Sequence, residues 1–138
     1  MMRKINKIIL HCTATPEGRD YTVAQIRDWH VRNRRWSDIG YHFVVYRDGT
    51  VHRGRPVERA GAHTLGQNAH SIGICYVGGL DVRTMKPKDT RTPAQKLALL
   101  KLVRQLREQY GANITVHGHN EFAPKDCPSF RVNPAEFQ

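Results

Sequence analysis

The sequence predicts a single α/β domain spanning residues 1–138, with a central mixed β-sheet of about five strands flanked by helices. Strand-like and helix-like segments follow one another in the order β-α-β-β-β-α-β, with a short tail after the last strand. A chain of 138 residues is typical of one domain that buries its own core. Hydrophobic residues make up 39% of the chain and charged residues 25%, which is typical of an ordered globular protein.

The first predicted element is a strand. Residues 6–15, "NKIILHCTAT", are rich in β-branched and apolar side chains, and the polar segment "TPEGRD" at 15–20 predicts a turn. Side chains alternate between the two faces of a regular strand, so His11 and Cys12 are expected on opposite faces. Only one of them can then point at a given site.

Residues 21–35 predict the first helix. Thr22 is followed three residues later by Gln25, which is a capping-box pattern at a helix start. The face that points inward is predicted to carry Val23, Ile26, Trp29 and His30.

Four further strands are predicted around the middle and the end of the chain. Residues 41–54 predict a β-hairpin, in which Asp48 and Gly49 supply the turn. The run "SIGICYVGG" at 71–79 is apolar on both faces, which indicates a central strand. The last strand is predicted over residues 112–119.

The second helix, predicted over residues 92–111, has the clearest boundaries in the sequence. Thr92 caps it, Pro93 takes the first helical position, Gln95 completes the capping box and Gly111 ends it. Its inner face is predicted to carry Leu99, Leu102, Leu106 and Tyr110.

The chain is strongly basic. It has 22 Lys and Arg residues against 12 Asp and Glu, which gives a net charge of +10 with neutral histidines. Such an excess favours a polyanionic partner, which could be nucleic acid, an anionic membrane or an anionic cell-wall polymer. The basic residues are scattered, and the charge alone does not choose among these partners.

Two features bear on the compartment. No run of about 18 apolar residues predicts a membrane span, and the apolar stretch near the N-terminus is only "IIL", so we expect synthesis in the cytoplasm without an export signal. The three cysteines, Cys12, Cys75 and Cys127, are an odd number without a CxxC pair. They argue against a disulfide framework and fit a reducing compartment.

Candidate metal ligands lie at the ends of the first and last predicted strands. These are His11, then His117 or His119, and then Cys127, which lies in a loop between Pro124 and Pro128. Imidazole nitrogen and thiolate sulfur are both good zinc ligands, and a catalytic zinc site keeps three protein ligands and one open position. Histidines at i and i+2 share a strand face, so spacing alone does not choose between His117 and His119.

Five stretches, in order along the chain, carry a resemblance to a known family: "IILHCTAT" (8–15), "GYHFVVYRDGTVHRGR" (40–55), "AGAHTLGQNAHSIGICYVGG" (60–79), "TPAQ" (92–95) and "GHNEFAPKDCPSF" (118–130). The chain resembles the zinc-dependent N-acetylmuramoyl-L-alanine amidases of the type shared by small phage lysozymes and peptidoglycan recognition proteins. The resemblance covers most of the domain and implies the peptidoglycan-recognition-protein-like fold.

The resemblance also implies roles for particular residues. His11, His119 and Cys127 match the three zinc ligands, so the family favours His119 over His117. Tyr41 matches a tyrosine near the metal, and Lys125 matches a catalytic lysine. His63 and Asn68 match residues of the substrate groove, although a polar turn before a central strand explains them nearly as well.

These roles imply hydrolysis of the amide bond between N-acetylmuramic acid and L-alanine in bacterial peptidoglycan. Zinc lowers the pKa of a bound water and polarises the scissile carbonyl, while a cation or hydroxyl stabilises the developing oxyanion. We expect a monomeric phage or prophage endolysin, or a wall-remodelling enzyme, that acts on the wall after release. The alternatives are a non-catalytic peptidoglycan-binding module and a regulator that binds a polymerase, another protein or nucleic acid through its basic surface.

The remaining histidines, cysteines and tryptophans are expected to be structural. His42 should face away from Tyr41, and His30 and His52 show no pattern that indicates a function. Cys12 and Cys75 are most simply core residues. Packing is also the expected role of the two tryptophans, Trp29 and Trp36, with Trp36 in an exposed loop.

Overall fold

A computed structural model describes residues 3–138 of the chain. In chain order its elements are β1 (Lys7–Cys12), β2 (Thr15–Pro16), α1 (Val23–Arg34), β3 (Phe43–Val45), β4 (Val51–Arg53), β5 (Ser71–Tyr76), β6 (Gly79–Leu80), α2 (Pro93–Tyr110) and β7 (Thr115–Gly118). Five of the strands form one mixed sheet in the order β4-β3-β5-β1-β7. The predicted α/β domain with a central mixed sheet of five strands is confirmed.

Strand β1 lies between β5 and β7 and runs parallel to both. Its register pairs Leu10 with Gly118, so the residues that follow, His11 and His119, come from the same edge of the sheet. The hairpin of β3 and β4 is antiparallel, as predicted from its turn, and β5 occupies the central position. The sheet therefore brings the carboxyl ends of two neighbouring parallel strands together.

The two helices cover opposite faces of the sheet. Helix α2 packs Leu99, Leu102 and Leu106 against a large core cluster that includes Leu10 from β1. Helix α1 packs Val23 and Ile26 into a smaller cluster with Val44, which lies on the other face of the sheet. The predicted inward residues of both helices are thus buried or half-buried, with Trp29, His30 and Tyr110 half-buried.

Both predicted capping boxes are present. Thr22 at α1 and Thr92 at α2 each accept a hydrogen bond from the backbone N–H three residues later, and the side chain of Gln25 or Gln95 accepts one in return. These reciprocal bonds satisfy two backbone donors that a helix start leaves free. Capping therefore fixes where both helices begin.

The structure adds a small second sheet where the sequence predicts a turn. Thr15 and Pro16 of β2 pair in parallel with Gly79 and Leu80 of β6, so the predicted strand at 71–79 is divided after Tyr76. Gly79 has a φ of +109°, and a Cβ at this position would lie 2.5 Å from Cys12 Sγ. The chain can turn here only because Gly79 has no side chain.

Within the described part of the chain, no helix has the length and apolar character that crossing a bilayer requires.

Candidate metal centre and cleft

Three predicted ligands converge at the edge of the sheet. His11 is the second-last residue of β1, His119 directly follows β7, and Cys127 lies on the loop that comes next. One ligand atom from each residue lies within 4.8 Å of the other two. His117 lies on β7 with Nδ1 2.9 Å from Glu121 Oε1 and Nε2 2.7 Å from Thr115 Oγ1, so both of its nitrogens have partners away from this cluster.

The two imidazoles of the cluster are held in the neutral form. His11 is 1% exposed, and its pKa lies well below the ordinary value because of burial and then the charges of His63, His119 and Lys125. Burial and the charge of Lys125 also lower the pKa of His119. A neutral imidazole has the free lone pair that a metal ligand needs.

Cys127 is the third member of the cluster. Its Sγ lies 3.6 Å from His11 Nδ1 and accepts a hydrogen bond of 3.3 Å from the backbone N–H of Cys12. Hydrogen bonding with Cys12, followed by burial, raises the pKa of the Cys127 thiol above its ordinary value. A divalent cation beside the sulfur acts in the opposite direction, because it stabilises the thiolate.

The loop that carries Cys127 is tied to the sheet and to the preceding turn. The Tyr76 hydroxyl donates a hydrogen bond of 2.7 Å to the carbonyl of Pro128, and Asn120 Nδ2 donates one of 3.1 Å to the carbonyl of Phe130. These bonds hold the backbone on the carboxyl side of Cys127. The sulfur is therefore placed by the central strand as well as by its own loop.

A cleft of about 530 Å³ opens above the three candidate ligands. Tyr41 lines it, with its ring centroid 5.2 Å from that of His11, and burial raises the pKa of its hydroxyl well above the ordinary value. Lys125 also lines the cleft, two residues before Cys127, and its side chain is exposed. The cleft therefore holds a neutral hydroxyl donor and a cation next to the cluster.

His63 and Asn68 occupy different places. His63 lines the cleft but is only 8% exposed, with Nδ1 2.9 Å from His11 Nε2. The Asn68 carboxamide oxygen accepts hydrogen bonds of 3.0 Å from the backbone N–H groups of His63 and Thr64. The structure thus brings His63 to the cluster and uses the Asn68 oxygen to shape the loop that carries it.

Helix α1 and the loop that follows it supply a wall of the cleft that the sequence did not predict. Trp29, His30 and Trp36 all line it, although these residues were expected to be structural and Trp36 exposed. His30 Nδ1 accepts a hydrogen bond of 2.9 Å from Gly40 N–H, and burial, with the charges of Arg34 and Arg55, lowers its pKa to about 4. The inward stripe predicted for the helix was the signal that could have placed Trp29 and His30 here.

His42, Cys12 and Cys75, which were also expected to be structural, are all buried. His42 is fully buried, with Nδ1 accepting from Gly73 N–H at 3.0 Å and Nε2 2.8 Å from the Arg59 carbonyl, which confirms a structural role. Cys75 and Cys12 are buried in the sheet, as expected. Cys12 has a second feature that alternation did not predict, because its backbone and thiol both contact Cys127.

Comparisons with known proteins agree on one family. The sequence model of the N-acetylmuramoyl-L-alanine amidase family matches residues 1–130. The endolysin of Klebsiella phage KP32 is 42% identical over 128 residues, which cover 93% of this chain and 83% of the relative.

Two solved structures extend the match to the fold. The N-acetylmuramoyl-L-alanine amidase LysC from Clostridium intestinale superposes with a TM-score of 0.81 at 33% identity, covering 98% of this chain and 83% of LysC. Drosophila PGRP-LB superposes with a TM-score of 0.80 at 26% identity, covering 99% of this chain and 81% of PGRP-LB. The chain therefore belongs to the N-acetylmuramoyl-L-alanine amidase family, and it is an amidase of the type shared by phage lysozymes and peptidoglycan recognition proteins.

Proposed function

We propose that this chain hydrolyses the amide bond between N-acetylmuramic acid and L-alanine in bacterial peptidoglycan, with a zinc ion held by His11, His119 and Cys127. The observation that carries the proposal is the convergence of two imidazoles and one thiol within 4.8 Å at the floor of a cleft. The family match and the amidase and endolysin relatives support the reaction.

The donor set fits zinc. Two nitrogens and one sulfur are a ligand combination that zinc accepts in catalytic sites, with the fourth position left for water or substrate. The lowered pKa values of His11 and His119 support ligation, since both rings have a free lone pair at neutral pH. When bound, zinc supplies a coordinated water of pKa about 7 and a Lewis acid for the scissile carbonyl.

Two residues beside the cluster can assist attack on the scissile carbonyl. Lys125 can place its ammonium group against the carbonyl oxygen as that oxygen becomes negative, which lowers the barrier to attack. Tyr41 can donate its neutral hydroxyl to the same oxygen or orient the attacking water, because its raised pKa keeps the proton on the phenol. Both roles follow the family resemblance, and the position of the two residues beside the cluster supports them.

The substrate-binding roles of His63 and Asn68 stay predictions. Both ring nitrogens of His63 have protein partners, His11 and Thr64 at Nδ1 and Ser71 at Nε2. A contact between His63 and substrate would therefore use a carbon edge of the ring.

Several wider assignments belong to the same proposal. We take residues 1–138 as one amidase domain, which the family match over 1–130 and the full burial of Phe137 support. Similarity to a phage endolysin supports action on the wall after release, and synthesis in the cytoplasm without an export signal stays a prediction. A monomeric state and a protein partner on the basic surface remain predictions.

Mass spectrometry of muropeptides after digestion of purified sacculi tests the reaction. We expect free stem peptides that begin with L-alanine, together with glycan chains of unchanged length. Shortened glycan chains would identify a glycosidase, and an unchanged digest would favour the non-catalytic binding module. Metal analysis of the same preparation should give about one zinc per chain, and the matched variant Cys127→Ser should lose both the zinc and the released peptides.

A further inference from the structure

A chain of hydrogen bonds runs from His11 away from the cleft and into the protein. His11 Nε2 lies 2.9 Å from His63 Nδ1, His63 Nε2 lies 3.3 Å from Ser71 Oγ, and Ser71 Oγ donates to the Gln67 carbonyl at 2.7 Å. His11, His63 and Ser71 are 1%, 8% and 0% exposed. Water therefore has little access to the polar atoms of this hydrogen-bond series.

The Gln67 carbonyl, at the end of this series of hydrogen bonds, determines where each proton lies. A carbonyl only accepts, so Ser71 must donate to Gln67, and its oxygen is then free to accept from His63 Nε2–H. A neutral His63 with its proton on Nε2 has a lone pair at Nδ1, and this nitrogen accepts a hydrogen bond from His11 Nε2–H. The other nitrogen of His11, Nδ1, is left with a free lone pair, and it is the one that lies 3.6 Å from Cys127 Sγ.

Thr64 adds a second contact at the same point. Its hydroxyl lies 2.9 Å from His63 Nδ1 and 3.2 Å from His11 Nε2, so it bridges the two rings. The Thr64 hydroxyl can donate a hydrogen bond to His63 Nδ1. Its oxygen can at the same time accept a second branch of the hydrogen bond that His11 Nε2–H donates. Both rings are thereby held in one relative orientation, with an interplanar angle of 84°.

Two glycines and one asparagine hold the His63 ring in place. A Cβ on Gly61 would lie 2.6 Å from His63 Cδ2, and a Cβ on Gly73 would lie 2.6 Å from both Cδ2 and Cγ. The ring therefore fills space that any other residue at these positions would occupy. Asn68 fixes the backbone beneath the ring through its bonds to the N–H groups of His63 and Thr64.

We propose that His63 is a positioning residue for the metal ligand His11, and that the His63–Ser71–Gln67 chain selects the His11 tautomer whose Nδ1 is free to bind the metal. This inference rests on the proposed metal centre. A hydrogen-bond acceptor behind a ligating imidazole fixes its orientation and raises its basicity, and loss of such an acceptor weakens metal affinity by about 10- to 100-fold. The same role explains why the ring is buried with both nitrogens engaged.

Zinc affinity of the purified protein, measured at fixed pH by competition with a chromophoric chelator, tests the inference. His63→Leu and His63→Asn form a matched pair, because the two side chains have nearly the same size and only Asn places an acceptor near the position of Nδ1. We expect His63→Leu to bind zinc about 10- to 100-fold more weakly than the wild type, and His63→Asn to recover most of that loss. A purely structural role would affect both variants alike.

Ser71→Ala and Thr64→Val remove single hydroxyls and leave the His63 ring in place. We expect each to weaken zinc binding less than His63→Leu, and thermal unfolding of the zinc-free proteins reports whether each variant folds. Equal zinc affinity of His63→Leu and His63→Asn would overturn the inference. If either of these two variants fails to fold, the inference is overturned when Ser71→Ala and Thr64→Val both bind zinc as tightly as the wild type. If the wild-type protein itself binds no zinc, the proposed metal centre fails instead.

Discussion

The hydroxyl of Tyr76 connects the central strand to the loop that carries Cys127. Tyr76 is 1% exposed at the end of β5, and its hydroxyl donates a hydrogen bond of 2.7 Å to the carbonyl of Pro128, which directly follows the ligand. Burial raises the pKa of Tyr76, so the phenol keeps its proton at every pH at which the protein would be studied. This one bond should therefore contribute both to global stability and to the position of the sulfur.

The substitution Tyr76→Phe keeps the ring in the core and removes only the donor. Because the buried Pro128 carbonyl then lacks its partner, the free energy of unfolding should fall by about 1–3 kcal/mol. A chain of this length has an unfolding entropy of about 0.3 kcal/mol/K, so the melting temperature should fall by about 3–10 °C. Zinc should also pass to a chelator more rapidly, since the loop that holds the sulfur has lost its tie to the sheet.

Thermal unfolding with chelator present measures the first effect, and stopped-flow transfer of zinc to a chromophoric chelator measures the second. Tyr110→Phe is the matched control, because Tyr110 is half-buried on α2 and its hydroxyl has no hydrogen-bond partner among residues 3–138. An unchanged melting temperature in Tyr76→Phe, or an equal decrease in both variants, would refute the reasoning.

Three further predictions concern the metal centre, the reaction and the pH dependence. Cys127→Ser should lose most of its zinc, measured by metal analysis, and should no longer release peptides from sacculi; full retention of zinc would contradict the ligand assignment. Lys125→Ala and Tyr41→Phe should keep zinc but lower kcat for peptide release by about 10²- to 10³-fold, the cost of removing one oxyanion donor; loss of zinc in either would point to a structural role. Burial lowers the pKa of His42 to about 4, so below pH ~6.5 the unfolded chain binds more protons than the folded one. The unfolding free energy should therefore fall as the pH decreases from about 6.5 to about 4, by up to about 1.4 kcal/mol per pH unit from this histidine. Urea denaturation at several pH values gives the unfolding free energy as a function of pH. This free energy should change less steeply with pH in His42→Asn than in the wild type, and an identical pH dependence would contradict the assignment.

The helices were predictable because their signals are local. Thr22 with Gln25, and Thr92 with Gln95, form hydrogen bonds within a single turn, so neighbouring residues alone determine where each helix begins. The small sheet of β2 and β6 was not predictable in this way. Its two strands have two residues each and lie more than 60 positions apart, and neither is long enough to show periodicity.

The candidate site was predictable only in part. Strand alternation correctly placed His11 and Cys12 on opposite faces, but it did not show that Cys12 contacts Cys127, because that contact depends on how a distant loop returns to the end of β1. The choice of His119 over His117 came from family resemblance and not from spacing. The link between His11 and His63 spans 52 positions, and no local pattern indicates it.

The three candidate ligands differ in how firmly the fold holds them. His11 lies in β1 and His119 directly follows β7, and these two strands pair in parallel. Backbone pairing therefore already sets the distance between the two rings. Cys127, in contrast, is placed by a loop that reaches the sheet through side-chain contacts. With the proposed zinc site, exchange of the Cys127 sulfur for an inert group should abolish hydrolysis, whereas Trp29 and Tyr41 line the cleft from other segments of the chain. A descendant with that one replacement could still recognise the polymer it no longer cuts.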